Sequence, residues 1–320
     1  MVRCWFASFF YPICRYPRPL STGLTFAMNI DRLENRLREY AQLMRLHRPI
    51  GIYLLLWPTL WALWLAGNGQ PPRGAVLVFV LGVALMRSAG CVMNDIADRD
   101  FDPHVARTRD RPLAAGRVGL GEAVGLAVTL CLLAFALVLT QNALTVKLSF
   151  VGLALALSYP FMKRFHHFPQ FHLGAAFGWG IPMAYAAVTD TLPPTAWLLF
   201  LGNMIWSAVY DTQYAMVDRE DDRKIGVKST AILFGERDKR IIGYLQLLLL
   251  GLLAVVGLLT GRGWIYYLGL FVAAWFALYQ QYLIRDREPA ECFKAFLNNN
   301  GFGLVIFCGL LLDFLPGTPD

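Results

Sequence analysis

Charge is scarce in this 320-residue chain: 16% of its residues are charged against 57% hydrophobic, and the mean hydropathy is +0.47. That balance excludes an ordinary soluble domain and points to a polytopic membrane protein. Cysteine organises nothing. The six residues (Cys4, Cys14, Cys91, Cys131, Cys292, Cys308) include no CxxC pair and no histidine at zinc-ligand spacing, so neither a disulfide framework nor a zinc site is indicated. Cys91, three residues ahead of an acidic stretch, is expected to pack in the core. Long polar segments are missing too, and after Ile50 nothing is long or polar enough for a separate soluble domain. The formal charge of +7 does not indicate nucleic acid, because the basic residues stand in loops between apolar runs rather than on one soluble face.

What is present is a series of nine apolar runs, at 50–67, 74–93, 119–139, 143–161, 172–188, 195–212, 241–260, 264–284 and 298–315. Each lies near the ~20 residues that a helix needs to cross a bilayer. The expected fold is therefore all-α, with nine transmembrane helices. Lys and Arg set the orientation: alternate loops 94–118, 162–171, 213–240 and 285–294 hold seventeen, and 28–48 adds five, whereas the opposite loops hold Arg73 and Arg262. The asymmetry predicts a cytoplasmic N-terminus and an external C-terminus. Carboxylates follow the same division, the external loops 140–142, 189–194 and 261–263 containing Asp190 alone, so chemistry is expected at the cytoplasmic face.

Residues 1–27 carry three Arg and no acid, which suits a targeting segment, but Pro12 and Pro17 break the apolar part and exclude a long signal helix. An upstream start-site artefact or a disordered extension is expected there. The amphipathic stretch Asp31 to Leu46 follows, and the chain divides into an extension with this segment (1–42) and a transmembrane domain (43–320).

Two acidic stretches stand out. Asn94-Asp95-Ile96-Ala97-Asp98-Arg99-Asp100-Phe101-Asp102 follows the run 74–93. On a continuing helix Asn94, Asp98 and Asp102 fall at i, i+4 and i+8, sharing one face at about 100° per residue, with Asp95 beside them. The second set, Asp211, Tyr214, Asp218, Asp221 and Asp222, starts at the end of the run 195–212, and Asp211, Asp218 and Asp222 again predict one helical stripe. Like charges this close repel unless something positive stands between them, and an oxygen-only set suits Mg²⁺, which bridges carboxylates to substrate phosphates. One such stretch would pass for a solvated helix end. Two of them, each ending a hydrophobic helix, are what a diphosphate held by metal ions would need. Basic partners are available in Arg99, Arg107, Arg109, Arg111, Lys163, Arg164, Arg223, Lys224 and Lys228, each of which also serves as a positive-inside topology residue. Arg164 is singled out, because it closes the helix end Tyr159-Pro160-Phe161-Met162-Lys163-Arg164 with no acid nearby. A site at the ends of apolar helices suits a substrate with a charged head and a hydrocarbon tail.

These motifs, together with Arg111-Pro112-Leu113-Ala114-Ala115-Gly116 and the run from Tyr210 through Lys224-Ile225-Gly226-Val227-Lys228-Ser229-Thr230, resemble the UbiA superfamily of intramembrane aromatic prenyltransferases. The Tyr210–Thr230 run, with Arg48-Pro49-Ile50-Gly51 and Leu54-Leu55-Leu56-Trp57-Pro58-Thr59, narrows the resemblance to the 4-hydroxybenzoate polyprenyltransferase branch of ubiquinone biosynthesis. The likeness covers about residue 43 to the end, without departure at the motif positions. It implies a nine-helix bundle around a central cavity in a bacterial inner membrane, the two motifs facing each other under a cytoplasmic cap. Polyprenyl diphosphate, 4-hydroxybenzoate and membrane lipid are the implied partners, with no nucleic acid and no protein partner.

Carried over residue by residue, Asn94, Asp98, Asp102, Asp218 and Asp222 would hold Mg²⁺ and the diphosphate, with Asp95 and Asp221 beside the metal. Arg164, Lys163 and Arg99 would contact the phosphates. The allylic C–O bond would ionise in a water-poor cavity, and the ring carbon ortho to the phenol would attack, Asp218 or Asp211 polarising or deprotonating the phenol. Arg48 is the expected partner of the acceptor's carboxylate, and Tyr159, Trp179, Tyr185, Trp206 and Tyr214 are candidates to shelter a cation. A secondary transporter is the reading from another class, but its acids would lie at mid-membrane, whereas the acids inside the runs, Glu122, Asp211 and Asp313, stand near run ends, and only Arg87 and Lys147 are basic inside them. Other acceptors, a naphthoate, a haem or a chlorophyllide, are compatible with the diphosphate half of the motifs.

Overall fold

Proline, glycine and short polar side chains punctuate the chain and set where each helix begins. The computed structural model describes residues 21–104, 108–165, 167–226 and 228–315, and within them the side chains from residue 32 onward other than His104, Lys163, Asp221 and Ile225. Among these residues every regular element is helical: α1 (Ser21–Leu43), α2 (Ile50–Ala66), α3 (Arg73–Asp98), α4 (Leu120–Val138), α5 (Ala143–Phe165), α6 (Pro169–Gly178), α7 (Gly180–Thr189), α8 (Pro194–Val217), α9 (Arg219–Ile225), α10 (Thr230–Phe234), α11 (Asp238–Leu259), α12 (Trp264–Leu283) and α13 (Pro289–Asp313). Proline opens α6, α8 and α13, at the position where its missing N–H costs nothing. Asn142 caps α5, its Oδ1 accepting from the Thr145 amide at 2.9 Å.

Six stretches are long and apolar enough to cross a membrane: α3, α4, α5 to Met162, the stretch from Thr230 through α11, α12 with the turn after it, and α13. The other three apolar runs of the sequence form α2, the α6–α7 pair and α8. The run 172–188 is not one helix but two of ten residues meeting at Trp179. Pro182 explains the break, since its ring collides with the carbonyl four residues back, at Gly178.

The acidic stretches also differ from a continuing helix. The last residue of α3 is Asp98, and Asp102 belongs to a separate 3₁₀ turn, Asp102–His104. Asp98, Asp100 and Asp102, gathered at the negative end of a helix dipole and followed by Pro103, stop the helix. In the same way α8 ends at Val217, Asp218 leaves helical geometry (φ −98°, ψ 4°), and α9 starts afresh at Arg219. Asp218 there moves from the unfavourable end of one dipole to the favourable end of the next.

The core joins α2, α8 and α13. Trp61 and Trp206 stack with ring centroids 5.3 Å apart. Apolar burial gives little net drive in lipid, where packing and interhelical hydrogen bonds matter more. Accordingly the Trp206 indole donates to Asn299 (2.9 Å), Asn299 to Gln213 (2.8 Å), and Gln213 and Gln246 to Gln280 (3.2 and 2.8 Å). This amide chain locks α8 against α11, α12 and α13. Where α12 and α13 cross, Gly269 and Gly309 meet so closely that a Cβ on Gly269 would stand 3.0 Å from the Gly309 Cα. Helix α1 lies against the loop after the first acidic stretch, with Arg36 donating to the Arg117 carbonyl (2.8 Å) and Tyr40 to Glu122 (2.9 Å).

Candidate active site

The ends of α3 and α8 open into one cavity of about 1260 Å³. From the first acidic stretch it is lined by Asn94, Asp95, Asp98 and Asp102, and from the second by Asp211, Tyr214, Asp218 and Asp222. The two walls thus meet across a shared space, although neither is a single helical stripe.

On the first wall, Asn94 and Asp98 stand one turn apart, the Asn94 amide donating to Asp98 at 3.2 Å. Asp95 is buried (2% exposed) and receives two guanidinium groups, Arg45 at 2.6 Å and Arg111 at 3.0 Å. Arg111 reaches on to Asp102 at 2.7 Å. Burial works against the charge on Arg45, and Asp95 is foremost among the groups that restore it, so its pKa lies above the usual arginine value. This network folds the Arg111–Gly116 loop back onto the helix end. Thr108 completes it by donating to the Asp102 carbonyl at 2.9 Å.

Between the walls lie two cations. Arg164, at the end of α5, donates to the Ala97 carbonyl at 2.6 Å and lies over the Phe101 and Phe161 rings at 5.1 and 5.5 Å. Lys228, beyond the second acidic stretch, donates to the Phe165 carbonyl at 3.2 Å, and both cations line the cavity. Arg48 is exposed and lines the cavity from just ahead of α2. Arg99 is not on the cavity wall; it is half exposed and faces Asp100 at 3.4 Å. Lys163 and Asp221 have side chains outside the described residues, as does Arg107 altogether.

Of the aromatic candidates, Tyr159, Trp179 and Tyr214 line the cavity, while Tyr185 and Trp206 are buried in the core away from it. Tyr214 packs edge-on to Phe296, with centroids 5.0 Å apart. Cys91 is buried and off the cavity wall.

Two cavity residues escaped the sequence reading. Arg45 counted there only as one of the topology charges of residues 28–48; its sole signal was its place just ahead of Arg48-Pro49. Arg87 counted as a charge inside a run. It lies seven residues before Asn94, lines the cavity, donates to the Cys91 sulfur and sits 5.7 Å from the centre of the Phe177 ring. Its Nε is buried and has no hydrogen-bond partner. Gly51 of α2 makes room for it, since a Cβ there would stand 2.7 Å from the Arg87 Cζ.

Beyond these polar groups the cavity is apolar. It continues past Met86, Val83, Gly82, Phe79 and Val78 of α3, and past Leu132, Phe135, Val138, Phe150 and Leu153 of α4 and α5. From Asp98 to Val78 is roughly 30 Å at 1.5 Å per residue, about the thickness of a bilayer core.

Among the described residues no group of three or more His, Cys, Asp or Glu stands ready to hold a metal ion. The donor set nevertheless fits Mg²⁺. That ion is usually bound by one or two carboxylates plus waters and substrate phosphates rather than by a closed protein cage, and the available side-chain ligands are carboxylate and amide oxygens.

Residues 55–304 match the UbiA prenyltransferase family. The chain belongs to that family. Among relatives of this UbiA member is a protein of Nitrosococcus oceani named 4-hydroxybenzoate octaprenyltransferase, 63% identical over 88% of this chain and 99% of the relative. A protein of the same name from Alkalilimnicola ehrlichii is 61% identical over 91% and 99%. The fold is that of solved UbiA homologues. One from Aeropyrum pernix has a TM-score of 0.73 at 26% identity, covering 83% of this chain and 98% of that one. One from Archaeoglobus fulgidus, bound to GPP and Mg²⁺, has a TM-score of 0.65 at 19% identity, over 84% and 99%. With its apolar helices, this family member is an integral membrane protein.

Proposed function

We propose that the chain is a Mg²⁺-dependent 4-hydroxybenzoate polyprenyltransferase, which moves a polyprenyl group from polyprenyl diphosphate to the ring carbon ortho to the phenol, C3, as a step of ubiquinone biosynthesis. One observation carries this reading: acids from two separate helix ends line the polar part of a cavity whose remainder is apolar and as long as a bilayer core is thick. The names of the relatives agree with it. We place the catalytic domain at residues 43–320, with nine crossings made by α2, α3, α4, α5, the α6–α7 pair, α8, α11, α12 and α13. The bacterial relatives support a bacterial inner membrane, and the Lys and Arg asymmetry supports a site facing the cytoplasm.

Asn94, Asp98, Asp102, Asp218 and Asp222 form the proposed ligand set, Asp102 also orienting Arg111. Bound there, Mg²⁺ would neutralise the diphosphate and make it a better leaving group. Arg164 and Lys228 reach the same space and would pair with phosphate oxygens. The tail would lie along the apolar arm, where water is excluded and charges at the head interact more strongly.

Arg87 and Asp211 serve the acceptor. Each stands seven residues inward of a motif residue (Asn94 and Asp218), roughly 10 Å along its helix. Arg87 has an N–H to spare and is a better partner for a carboxylate than the exposed Arg48. Asp211 would accept the phenol proton, raising the electron density at the ortho carbon that forms the new bond.

The test is diphosphate release in detergent from a long prenyl diphosphate, with 4-hydroxybenzoate or a hydroxynaphthoate, with and without EDTA. The reading expects turnover with the benzoate, lost in EDTA and restored by Mg²⁺. Turnover that needs no divalent ion, or only a non-benzoate acceptor, would overturn it.

A further inference from the structure

A buried ion cluster lies outside the cavity, and the reaction as described makes no use of it. Asp238, the first residue of α11, has no exposed surface. Two arginines from separate segments converge on it. Arg219, the first residue of α9, donates through Nη2. Arg287, from the turn between α12 and α13, donates through Nε at 3.1 Å and Nη2 at 2.9 Å. The Lys239 amide adds a bond at 2.7 Å. Arg287 holds a left-handed backbone (φ 58°) that non-glycine residues seldom adopt, and it also donates to the Glu236 carbonyl at 3.0 Å. The Lys239 ammonium ties the same turn from the other side, donating to the Arg285 carbonyl at 2.7 Å.

What this cluster grips is the second acidic wall. Arg219 follows Asp218 directly and precedes Asp222 by three residues in the same short helix. At seven residues α9 is far below the ~12–15 needed for a helix to be stable by itself, so its position depends on what it is tied to. Asp218 and Asp222 line the cavity, whereas Asp238, Arg219 and Arg287 do not.

We propose that Asp238 is a positioning residue: through Arg219 it fixes the start of α9, and with it the direction in which Asp218 and Asp222 face the diphosphate and its metal. A side chain that orients metal ligands from behind commonly changes metal affinity or activity by about 10- to 100-fold when lost. This inference rests on the reading of Asp218 and Asp222 given above.

The experiment uses the full-length protein in detergent. It measures the Mg²⁺ concentration for half-maximal activity, KM for the prenyl diphosphate, KM for 4-hydroxybenzoate and the thermal midpoint, in Asp238→Asn and in Arg287→Gln. In Asp238→Asn the Mg²⁺ requirement and the diphosphate KM should rise by about 10- to 100-fold, with the acceptor KM within about twofold of the parent. Arg287→Gln, which keeps the Arg219 contact, should move the same two constants in the same direction and less far. If Asp238→Asn does not accumulate folded, Arg287→Gln decides. Folded variants with unchanged Mg²⁺ and diphosphate constants overturn the proposal, as does a uniform loss of activity that only follows the fraction of folded protein. The underlying reading fails separately, if Asp218→Asn and Asp222→Asn leave the Mg²⁺ dependence of the parent.

Discussion

Gly51→Ala is a one-carbon change that tests how the acceptor end of the cavity is built. The new Cβ would stand 2.7 Å from the Arg87 Cζ and closer still to Nε, where ordinary contact begins at 3.4 Å. Backbone need not move, because the obstructed atoms end a flexible side chain, so the variant should fold. The guanidinium, however, must retreat by roughly 1 Å, and a misplacement of that size in a positioning group costs on the order of 10²-fold in rate. That is about 2.7 kcal/mol at 1.36 kcal/mol per decade. The loss should fall on kcat/KM for 4-hydroxybenzoate, leaving KM for the prenyl diphosphate nearly unchanged. Initial rates at varied acceptor and fixed saturating prenyl diphosphate measure it. The control is Arg87→Met, which should lose at least as much, because removing one partner of a buried charge pair costs about 2–5 kcal/mol. Adding Gly51→Ala to Arg87→Met should then cost nothing more. Parent kinetics in Gly51→Ala, or full additivity in the double variant, would refute the assignment of Arg87 to the acceptor carboxylate.

Asp98→Asn and Asp218→Asn should each abolish turnover while the protein still reaches the membrane, as read by activity beside membrane-fraction blotting; wild-type activity in either removes the metal assignment. Arg164→Ala should raise KM for the prenyl diphosphate more than KM for the acceptor, and the reverse pattern would move that residue to the other substrate. At the opposite end of the bundle, Asp313 accepts from the Gly263 amide at 3.0 Å and the Tyr266 amide at 3.2 Å, and pairs with Arg262 at 3.7 Å. Asp313→Ala should therefore cost about 3 kcal/mol of stability, seen as a lower thermal midpoint, with both KM values unchanged in the folded fraction.

Hydropathy made the helices legible, because a bilayer demands a fixed length of apolar side chain whatever the packing partner. It misplaced ends wherever another force took over. Helix α13 starts at Pro289 rather than near 298, since a proline at the first position starts a helix through residues too polar to register as a span. The break at Trp179 was concealed by the apolar character of both halves. Only Pro182, read for its clash with the carbonyl of Gly178, could have revealed it.

The site was legible as composition and less so as geometry. Reading the acids as stripes on continuous helices placed them correctly around one space for an incomplete reason, because both helices stop inside their motifs. The stops follow from the charges themselves: carboxylates gather where a helix dipole is negative, and the chain leaves the helix at Asp98 and Asp218. Each break frees the later acids, Asp102 and Asp222, to turn independently of the helix that bears the earlier ones. Arginines then replace the lost helical constraint, Arg111 on Asp102 and Arg219 on Asp238. Because these partners do not stand at helical spacing from the acids they hold, no local pattern announces them; Arg45 and Arg219 read in sequence as ordinary topology charges, and Arg87 as a charge inside an apolar run. A wall of acids set by arginines rather than by one continuous helix is suited to a ligand whose own charge leaves with it at the end of each turnover.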